Sequence, residues 1–135
     1  MITNPLEARH VGAIAAVQSE TRPWGTWTIL HEGEGFKVKL IEVKPGHRLS
    51  LQYHHQRSEV WVAVAGCPRA TVGGRTFDLA ARQTAIIPVR TVHRLGNPGD
   101  EPALIVEIQQ GGYLGEDDIV RLEDDYQRVL KTGSP

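Results

Sequence analysis

The chain has 135 residues, a formal net charge of −1 and a single cysteine, Cys67. A chain of this length forms one domain and buries about 68–70% of the surface that its unfolded form exposes, so it needs neither a disulfide nor a structural metal to fold. The balanced charge argues against nucleic acid as the main partner, and the longest apolar run, VWVAVAG, is too short to cross a bilayer. With one cysteine and no secretory signal at the N-terminus, the sequence predicts a cytoplasmic domain.

The chain is expected to divide into a lead-in, residues 1–21, and a main domain, residues 22–135. Apolar residues of the lead-in predict a short amphipathic helix through Leu6, Ala13, Ile14 and Val17. From residue 22 to residue 110 short apolar runs alternate with turns, and Gly73-Gly74 is a two-residue hairpin signal. The predicted strands are WTILH, FKVKLIEV, LSLQYH, EVWVAVAG, RATV, RTFDL, TAIIP, VHRLGN and ALIVEIQ. This pattern predicts an all-β antiparallel sandwich or barrel.

The segment GEDDIVRLEDDYQRVLK, residues 115–131, changes to a helical period. Asp117 and Asp118 suit a helix N-terminus, and Lys131 falls in the last turn. An apolar stripe follows at three- and four-residue spacing, through Ile119, Leu122, Tyr126 and Leu130. The sequence therefore predicts a C-terminal helix that closes one end of the barrel.

The stretch LQYHHQRSE raises the question of which of its two histidines belongs to a site. Successive side chains of a strand point to opposite faces, so Gln52 and His54 share one face while His55 takes the other. Glu59 can join that face only if the chain turns within HQRS. Two facing hairpins would then bring Gln52, His54, Glu59 and His93 together, a nitrogen and oxygen donor set that suits Zn and also Mn, Fe, Co or Ni.

The spacing Gln52-x-His54-x4-Glu59-x6-Gly66, followed by Pro88-x4-His93-x3-Asn97, resembles the two cupin motifs. Longer stretches resemble the phosphomannose isomerase domain of the bacterial type II family: RPWG, GFKVK, KPGHRLSLQYHHQRSEVW, HRLGNPG and EIQQGGYLGEDDIVRLEDDYQR. The resemblance implies a cupin jelly-roll barrel with one divalent metal, most simply Zn²⁺. It also implies interconversion of mannose 6-phosphate and fructose 6-phosphate through an enediolate, and a homodimer, since cupins commonly pair through exposed sheet edges.

That reaction needs a proton carrier and a cation for the phosphate. The catalytic candidates are Arg57, Lys39 and Glu107. Because a guanidinium stays protonated, Arg57 suits an electrostatic function. Either Lys39 or Glu107 could be the base, and the sequence does not decide between them. The substrate-binding candidates are Arg22, Lys37, Gln109 and Arg94. For Arg22, a structural turn in RPWG is an equal alternative.

Three positions depart from the family pattern. The family usually has histidine at Val60, glycine at Arg90 and glycine at Gln127. Strand alternation turns residue 60 away from the metal face. Two alternatives stay open: a non-catalytic sugar- or metabolite-binding cupin, and an iron oxygenase. The oxygenase is less favoured because Gln52 stands where such cupins more often carry a third histidine.

Overall fold

The structure is a computed structural model that describes residues 18–127. This part of the chain contains eleven strands and no helix, and so no helix that could span a membrane. The strands are β1 (Ser19–Arg22), β2 (Gly25–Gly33), β3 (Phe36–Val43), β4 (Leu51–Tyr53), β5 (Arg57–Ala65), β6 (Arg69–Val72), β7 (Arg75–Asp78), β8 (Thr84–Ile87), β9 (His93–Gly96), β10 (Ala103–Gly111) and β11 (Val120–Glu123). All nine strands predicted between Trp27 and Gln109 are present.

The strands form two antiparallel sheets that enclose one core. The larger sheet has the order β1-β2-β3-β10-β5-β8, and the smaller has the order β11-β4-β9-β6-β7. Apolar side chains from both sheets meet between them, among them Trp27, Trp61 and Ile105 from the larger sheet and Ala70 and Leu95 from the smaller. This confirms the predicted jelly-roll architecture, in which inward and outward residues alternate along each strand.

The two central strands of the larger sheet position the polar residues of the interior. Along β5 and β10 every second residue is buried, so Glu59, Glu107 and Gln109 point inward together with the apolar core. The outward positions of the same sheet are mostly apolar as well: Val38, Leu40, Val60, Val62, Val64, Ile86, Leu104, Val106 and Ile108. The inner face therefore carries the polar cluster, and the outer face is a largely apolar surface.

Glycines are required where the chain turns tightly or where two backbones meet. Gly73 has a φ of 61° in the β6–β7 hairpin, where Val72 pairs with Arg75, as the Gly-Gly signal predicted. At the end of β10, a Cβ on Gly111 would lie 2.1 Å from the backbone oxygen of Gln56. Only glycine lets β10 pass this closely beside the loop that leads into β5.

The predicted C-terminal helix is wrong over Val120–Glu123, which forms strand β11 and pairs with β4. Leu122, placed in the predicted apolar stripe, is 46% exposed, so the segment lacks the buried face that stabilises a helix. Pairing with β4 satisfies its backbone groups instead. The predicted N-terminal helix and the residues Leu130 and Lys131 lie outside the described residues. Strand β1 spans the expected boundary between lead-in and main domain, and pairs with β2.

Candidate metal centre and active site

A cleft opens between the two sheets and is partly open to solvent. Its wall combines aromatic and aliphatic residues with a cluster of charged and amide side chains. The lining residues are Trp24, Trp27, Lys39, Ile41, Leu49, Gln52, Arg57, Glu59, Trp61, His93, Leu95, Glu107, Gln109, Glu116, Ile119 and Arg121. An apolar cleft with a few converging polar groups is typical of a small-molecule site.

Three potential metal ligands converge at this cleft. His54 Nε2 lies 3.1 Å from Glu59 Oε2, and His93 Nε2 lies 3.8 Å from Glu59 Oε1. One ligand atom from each of the three residues falls within 4.8 Å of the others, and all three side chains are buried. The chain bends at residues 55 and 56, which confirms the turn that the sequence required for Glu59 to join the face of His54.

The second ring nitrogen of each histidine is held by the backbone. His54 Nδ1 lies 2.7 Å from the carbonyl oxygen of Asp118, and His93 Nδ1 lies 2.8 Å from that of Thr91. A carbonyl oxygen only accepts, so each Nδ1 donates its proton and each neutral ring keeps a lone pair on Nε2. Such outer contacts fix the tautomer and orientation of metal-binding histidines. Burial, the leading cause, lowers the pKa of His93 and favours the neutral ring that a metal needs.

Gln52 lies beside these ligands. It pairs with His93 across β4 and β9, so the two side chains stand on the same face, and Gln52 lines the cleft. Its Nε2 donates to Ser50 Oγ at 2.9 Å. The residues present thus fit a divalent ion: two imidazole nitrogens and one carboxylate converge, with an amide beside them.

Arg57 places a positive charge against the same ligands. Its Nε donates to Glu59 Oε2 at 3.0 Å, and its Nη2 donates to His54 Nε2 at 3.3 Å. Its Nη1 is buried and has no hydrogen-bond partner among residues 18–127. A metal on His54 would take the lone pair that Arg57 contacts.

Two buried carboxyl groups face each other next to this cluster. Trp61 Nε1 donates to Glu59 Oε1 at 2.9 Å and to Glu107 Oε1 at 3.1 Å. Burial opposes ionisation of Glu59, yet the contact of its carboxylate with His54, a hydrogen bond from Glu107 and the positive charge of Arg57 lower its pKa well below the usual value. Burial and the negative charge of Glu59 raise the pKa of Glu107 to about 8. At neutral pH the pair therefore holds one carboxylate and one carboxylic acid.

Gln109 continues the polar row of β10 beyond Glu107. Its Nε2 donates to Glu107 Oε2 at 2.9 Å, and the residue is fully buried in the cleft wall. Its Oε1 has no hydrogen-bond partner in the described part of the chain. A buried amide oxygen without a partner is costly, which suits a position that receives a ligand's hydroxyl group.

Lys39 enters the cleft from β3. Its side chain is 5% exposed, its Nζ lies 4.2 Å from the centre of the Trp27 ring, and it is bonded to the carboxylate of Glu116. Lys37 shares this face of β3, but its Nζ donates to the carbonyl oxygen of Leu114 at 3.2 Å, beside the cleft rather than in it. The structure thus brings one of the two predicted lysines to the cleft.

Two predicted substrate-binding arginines do not line the cleft, although the Cζ of Arg22 lies 5.8 Å from the centre of the Trp27 ring in the cleft wall. Arg22 is on the edge strand β1 and pairs with Glu20 at 2.5 Å. Arg94 follows His93 on β9, so it points to the opposite face of the sheet and donates to Glu123 Oε1 at 3.3 Å. Because successive side chains of a strand point to opposite faces, Arg94 cannot share the face of its neighbour His93.

The loop between β10 and β11, residues 112–119, contributes residues that the sequence did not reveal. The sequence predicts a helix N-terminus at Asp117 and Asp118, but Asp117 binds the Tyr113 hydroxyl and Asp118 binds the loop after His54. Glu116 binds Lys39. The carboxylate of Asp118 accepts from the backbone N–H groups of residues 55 and 56, at 3.0 and 2.9 Å. The partners of Glu116 and Asp118 lie more than 60 residues away in the chain, and no local pattern signals them.

Residues 12–124 match the family described as "Mannose-6-phosphate isomerase C-terminal". The chain is 53% identical to alginate biosynthesis protein AlgA of Pseudomonas aeruginosa over 110 residues, which is 82% of this chain and 23% of that protein. It is 47% identical to mannose-1-phosphate guanylyltransferase ManC of Salmonella typhimurium over 108 residues, 80% of this chain and 22% of that protein. The chain thus spans less than a quarter of the length of these relatives.

Solved structures share the fold at lower identity. An oxalate decarboxylase of Lactobacillus farciminis superposes with a TM-score of 0.69 at 21% identity, covering 81% of this chain and 34% of that one. The oxalate decarboxylase of Bacillus subtilis, described with Mn(II) centres, superposes with a TM-score of 0.68 at 25% identity, covering 78% of this chain and 30% of that one. These likenesses agree with the two-sheet architecture.

Proposed function

Because the chain belongs to the mannose-6-phosphate isomerase C-terminal family, we propose that it is a metal-dependent isomerase that interconverts mannose 6-phosphate and fructose 6-phosphate through an enediolate. One observation carries the proposal. The ligand atoms of His54, Glu59 and His93 converge beside a cleft that Glu59 and His93 line. The same cleft also holds a buried acid, Glu107, and a buried cation, Lys39. This is the set of groups that a sugar-phosphate isomerisation requires.

The metal would be held by His54, Glu59 and His93, with Gln52 as a fourth ligand. A bound divalent ion acts as a Lewis acid that stabilises negative charge on the sugar oxygens during enediolate formation. The hydrogen bonds at Nδ1 of both histidines keep their Nε2 lone pairs aimed at the same point. Zn²⁺ stays a prediction, since Mn, Fe, Co and Ni accept the same nitrogen and oxygen donors.

Glu107 is the proposed proton carrier. Its carboxylate removes the proton from C2 while the C2–H electron pair forms the C1–C2 double bond and the oxygen on C1 becomes negative. The resulting carboxylic acid returns the proton to C1 as the proton of the C2 hydroxyl moves to the oxygen on C1. A pKa of about 8 in the protein alone lies near the working pH of a base, and a nearby cation shifts it toward the ionised form.

The remaining polar groups of the cleft orient the substrate. Lys39 is the proposed phosphate ligand because it is a buried cation at the side of the cleft. Arg57 lines the cleft with a buried guanidinium, which would stabilise a developing oxyanion or the phosphate. Gln109 offers its unpaired Oε1 to a sugar hydroxyl.

The alternative is a sugar- or metabolite-binding cupin that does not turn over its ligand. The position of Arg57 favours it, because the guanidinium already neutralises Glu59 and contacts His54. In that case the cleft would bind the sugar phosphate, with or without a metal, and leave it unchanged.

A coupled assay of mannose 6-phosphate conversion separates the two functions. Metal-stripped protein is assayed alone and with added Zn²⁺, Mn²⁺ or Co²⁺, and its metal content and folding are measured in parallel. Metal-dependent turnover supports the isomerase. A folded, metal-loaded protein that binds the sugar phosphate without converting it supports the binding protein, and oxygen uptake with iron would point to an oxygenase instead.

The homodimer and the cytoplasmic location stay predictions. The apolar outer face of the larger sheet supports a pairing of two copies, since Ile86 is 68% and Val64 49% exposed there. A measurement of molar mass in solution tests this. The substitution Ile86→Lys is expected to shift the protein toward the monomer.

A further inference from the structure

The pair between Lys39 and Glu116 joins a buried cation to a solvent-accessible anion. The Lys39 side chain is 5% exposed, whereas that of Glu116 is 44% exposed. Glu116 lines the cleft from the loop of residues 112–119, so its carboxylate reaches Lys39 from the solvent side. An anion that enters the cleft therefore meets Lys39 where Glu116 already stands.

The ammonium group of Lys39 does not depend on Glu116 for its position. Its Nζ lies 4.2 Å from the centre of the Trp27 ring, and such a cation–π contact is attractive in itself. The stem of the side chain is buried within the inner face of β3. If the carboxylate leaves, the contact with Trp27 still holds the ammonium group in position for another anion.

A second donor stands in the same cleft without a partner. Arg57 is 4% exposed, and its Nη1 finds no hydrogen-bond acceptor within residues 18–127. A carboxylate on Lys39 provides one negative charge. A phosphoryl group provides up to two charges and three acceptor oxygens, which suits a lysine and an arginine together.

We propose that Glu116 is an internal counter-anion that occupies the phosphate position on Lys39, and that the phosphoryl group of the substrate must displace it to bind. This rests on the proposed function and deepens it. Displacement costs little because Glu116 is already near water, whereas a neutral sugar has no charge with which to replace it. The pair thus makes the cleft select phosphorylated sugars over free ones.

The other attachments of the loop stay in place during this exchange. Lys37 Nζ donates to the carbonyl oxygen of Leu114, and the carboxylate of Asp118 accepts from the backbone after His54. Glu116 lies between these two anchors. Its side chain can therefore swing out while the loop keeps its place.

The test measures binding of inorganic phosphate to the metal-free protein by calorimetry at fixed ionic strength, so that phosphate does not bind through a metal. Glu116→Gln removes the competing charge but keeps the side-chain size, and is expected to tighten phosphate binding about five- to tenfold. Asp117→Asn removes the same charge from the next residue, which contacts Tyr113 and not Lys39. It is expected to bind phosphate as the unchanged protein does.

Lys39→Met is made alone and together with Glu116→Gln, which completes a double-mutant cycle for this ion pair. Both variants are expected to lose phosphate binding, and thermal melts confirm that they are folded. The inference is overturned if Glu116→Gln binds phosphate no more tightly than Asp117→Asn, or if its gain persists without Lys39. Turnover of mannose 6-phosphate by the unchanged protein is followed separately. If the unchanged protein turns over mannose 6-phosphate but Glu116→Gln does not tighten phosphate binding, this inference alone is refuted. If Glu116→Gln tightens phosphate binding but no turnover is seen, only the isomerase function is refuted.

Discussion

Replacing Asp118 by alanine is expected to loosen the turn that carries His54 and to weaken metal binding. The Asp118 carboxylate accepts from the backbone N–H groups of His55 and Gln56, at 3.0 and 2.9 Å. Its own carbonyl oxygen accepts from His54 Nδ1 at 2.7 Å. One residue thus holds the turn through its side chain and the imidazole through its backbone. Alanine keeps the carbonyl group but frees the turn, so the histidine and its acceptor are no longer fixed relative to each other.

The magnitude follows from the two hydrogen bonds. Each bond to a charged acceptor contributes about 1.5–3 kcal/mol when buried, but loop amides regain water when the acceptor is removed, so we expect the free energy of unfolding to fall by about 2 kcal/mol in total. For a chain of this size that lowers the melting temperature by roughly 6–10 °C. Loss of a contact that orients a metal-binding histidine typically weakens metal affinity about 10- to 100-fold.

The assay combines thermal unfolding with calorimetric titration of Zn²⁺ into the metal-free protein. Asp117→Ala removes the same charge from an exposed residue and serves as the control. The pKa of Asp118 is lowered by the two backbone hydrogen bonds against an opposing effect of burial. Its stabilisation is therefore complete above the unfolded-chain pKa of about 3.9 and is lost as the pH falls through the lower folded value. Metal affinity of Asp118→Ala equal to that of the control would refute the reasoning.

Three further predictions address the ligands, the buried acid and the fold. His54→Ala is expected to abolish metal binding whereas His55→Ala leaves it intact, as measured by metal content; the opposite result would contradict strand alternation. The pKa of Glu107 is raised from 4.5 to about 8 in the folded protein. The unfolding free energy of the metal-free protein should therefore fall as the pH rises between these two values. In denaturant titrations, Glu107→Gln should remove this pH dependence. Gly111→Ala, whose Cβ would meet a backbone oxygen at 2.1 Å, should cost at least about 3 kcal/mol. Gly73→Ala, with φ of 61° and open space around it, should cost only about 1–2 kcal/mol.

The central strands could be predicted because they are short apolar runs bounded by turns, and because successive side chains of a strand point to opposite faces. Glu59 and Glu107 stand on buried positions of β5 and β10, where polar residues interrupt otherwise apolar inner faces. The distance of five residues between His54 and Glu59 required a turn, and that turn is present at residues 55 and 56. The convergence of these side chains was therefore readable from local alternation together with one turn.

The segment after β10 could not be read in the same way. Ile119 and Leu122 fit a helical period, and acidic residues before them resemble helix caps, so local rules favour a helix. Pairing of Val120 with Tyr53 and binding of Asp118 to the His54 turn depend on residues more than 60 positions away. Tertiary contacts of this range override local propensity and leave no periodic signal. Arg94 differs, because alternation from His93 already indicates that it faces away.

Residue 60 shows how the position of a departure decides its consequence. Glu59 and Trp61 point into the cleft, so Val60 between them points outward, where it pairs with Ile108 on one side and Ile86 on the other. The histidine usual in the family would stand on this outer face and could not reach the proposed ligands His54, Glu59 and His93. Valine instead extends an apolar surface. The departure therefore changes what the larger sheet packs against, and leaves the groups that carry the proposed chemistry unchanged.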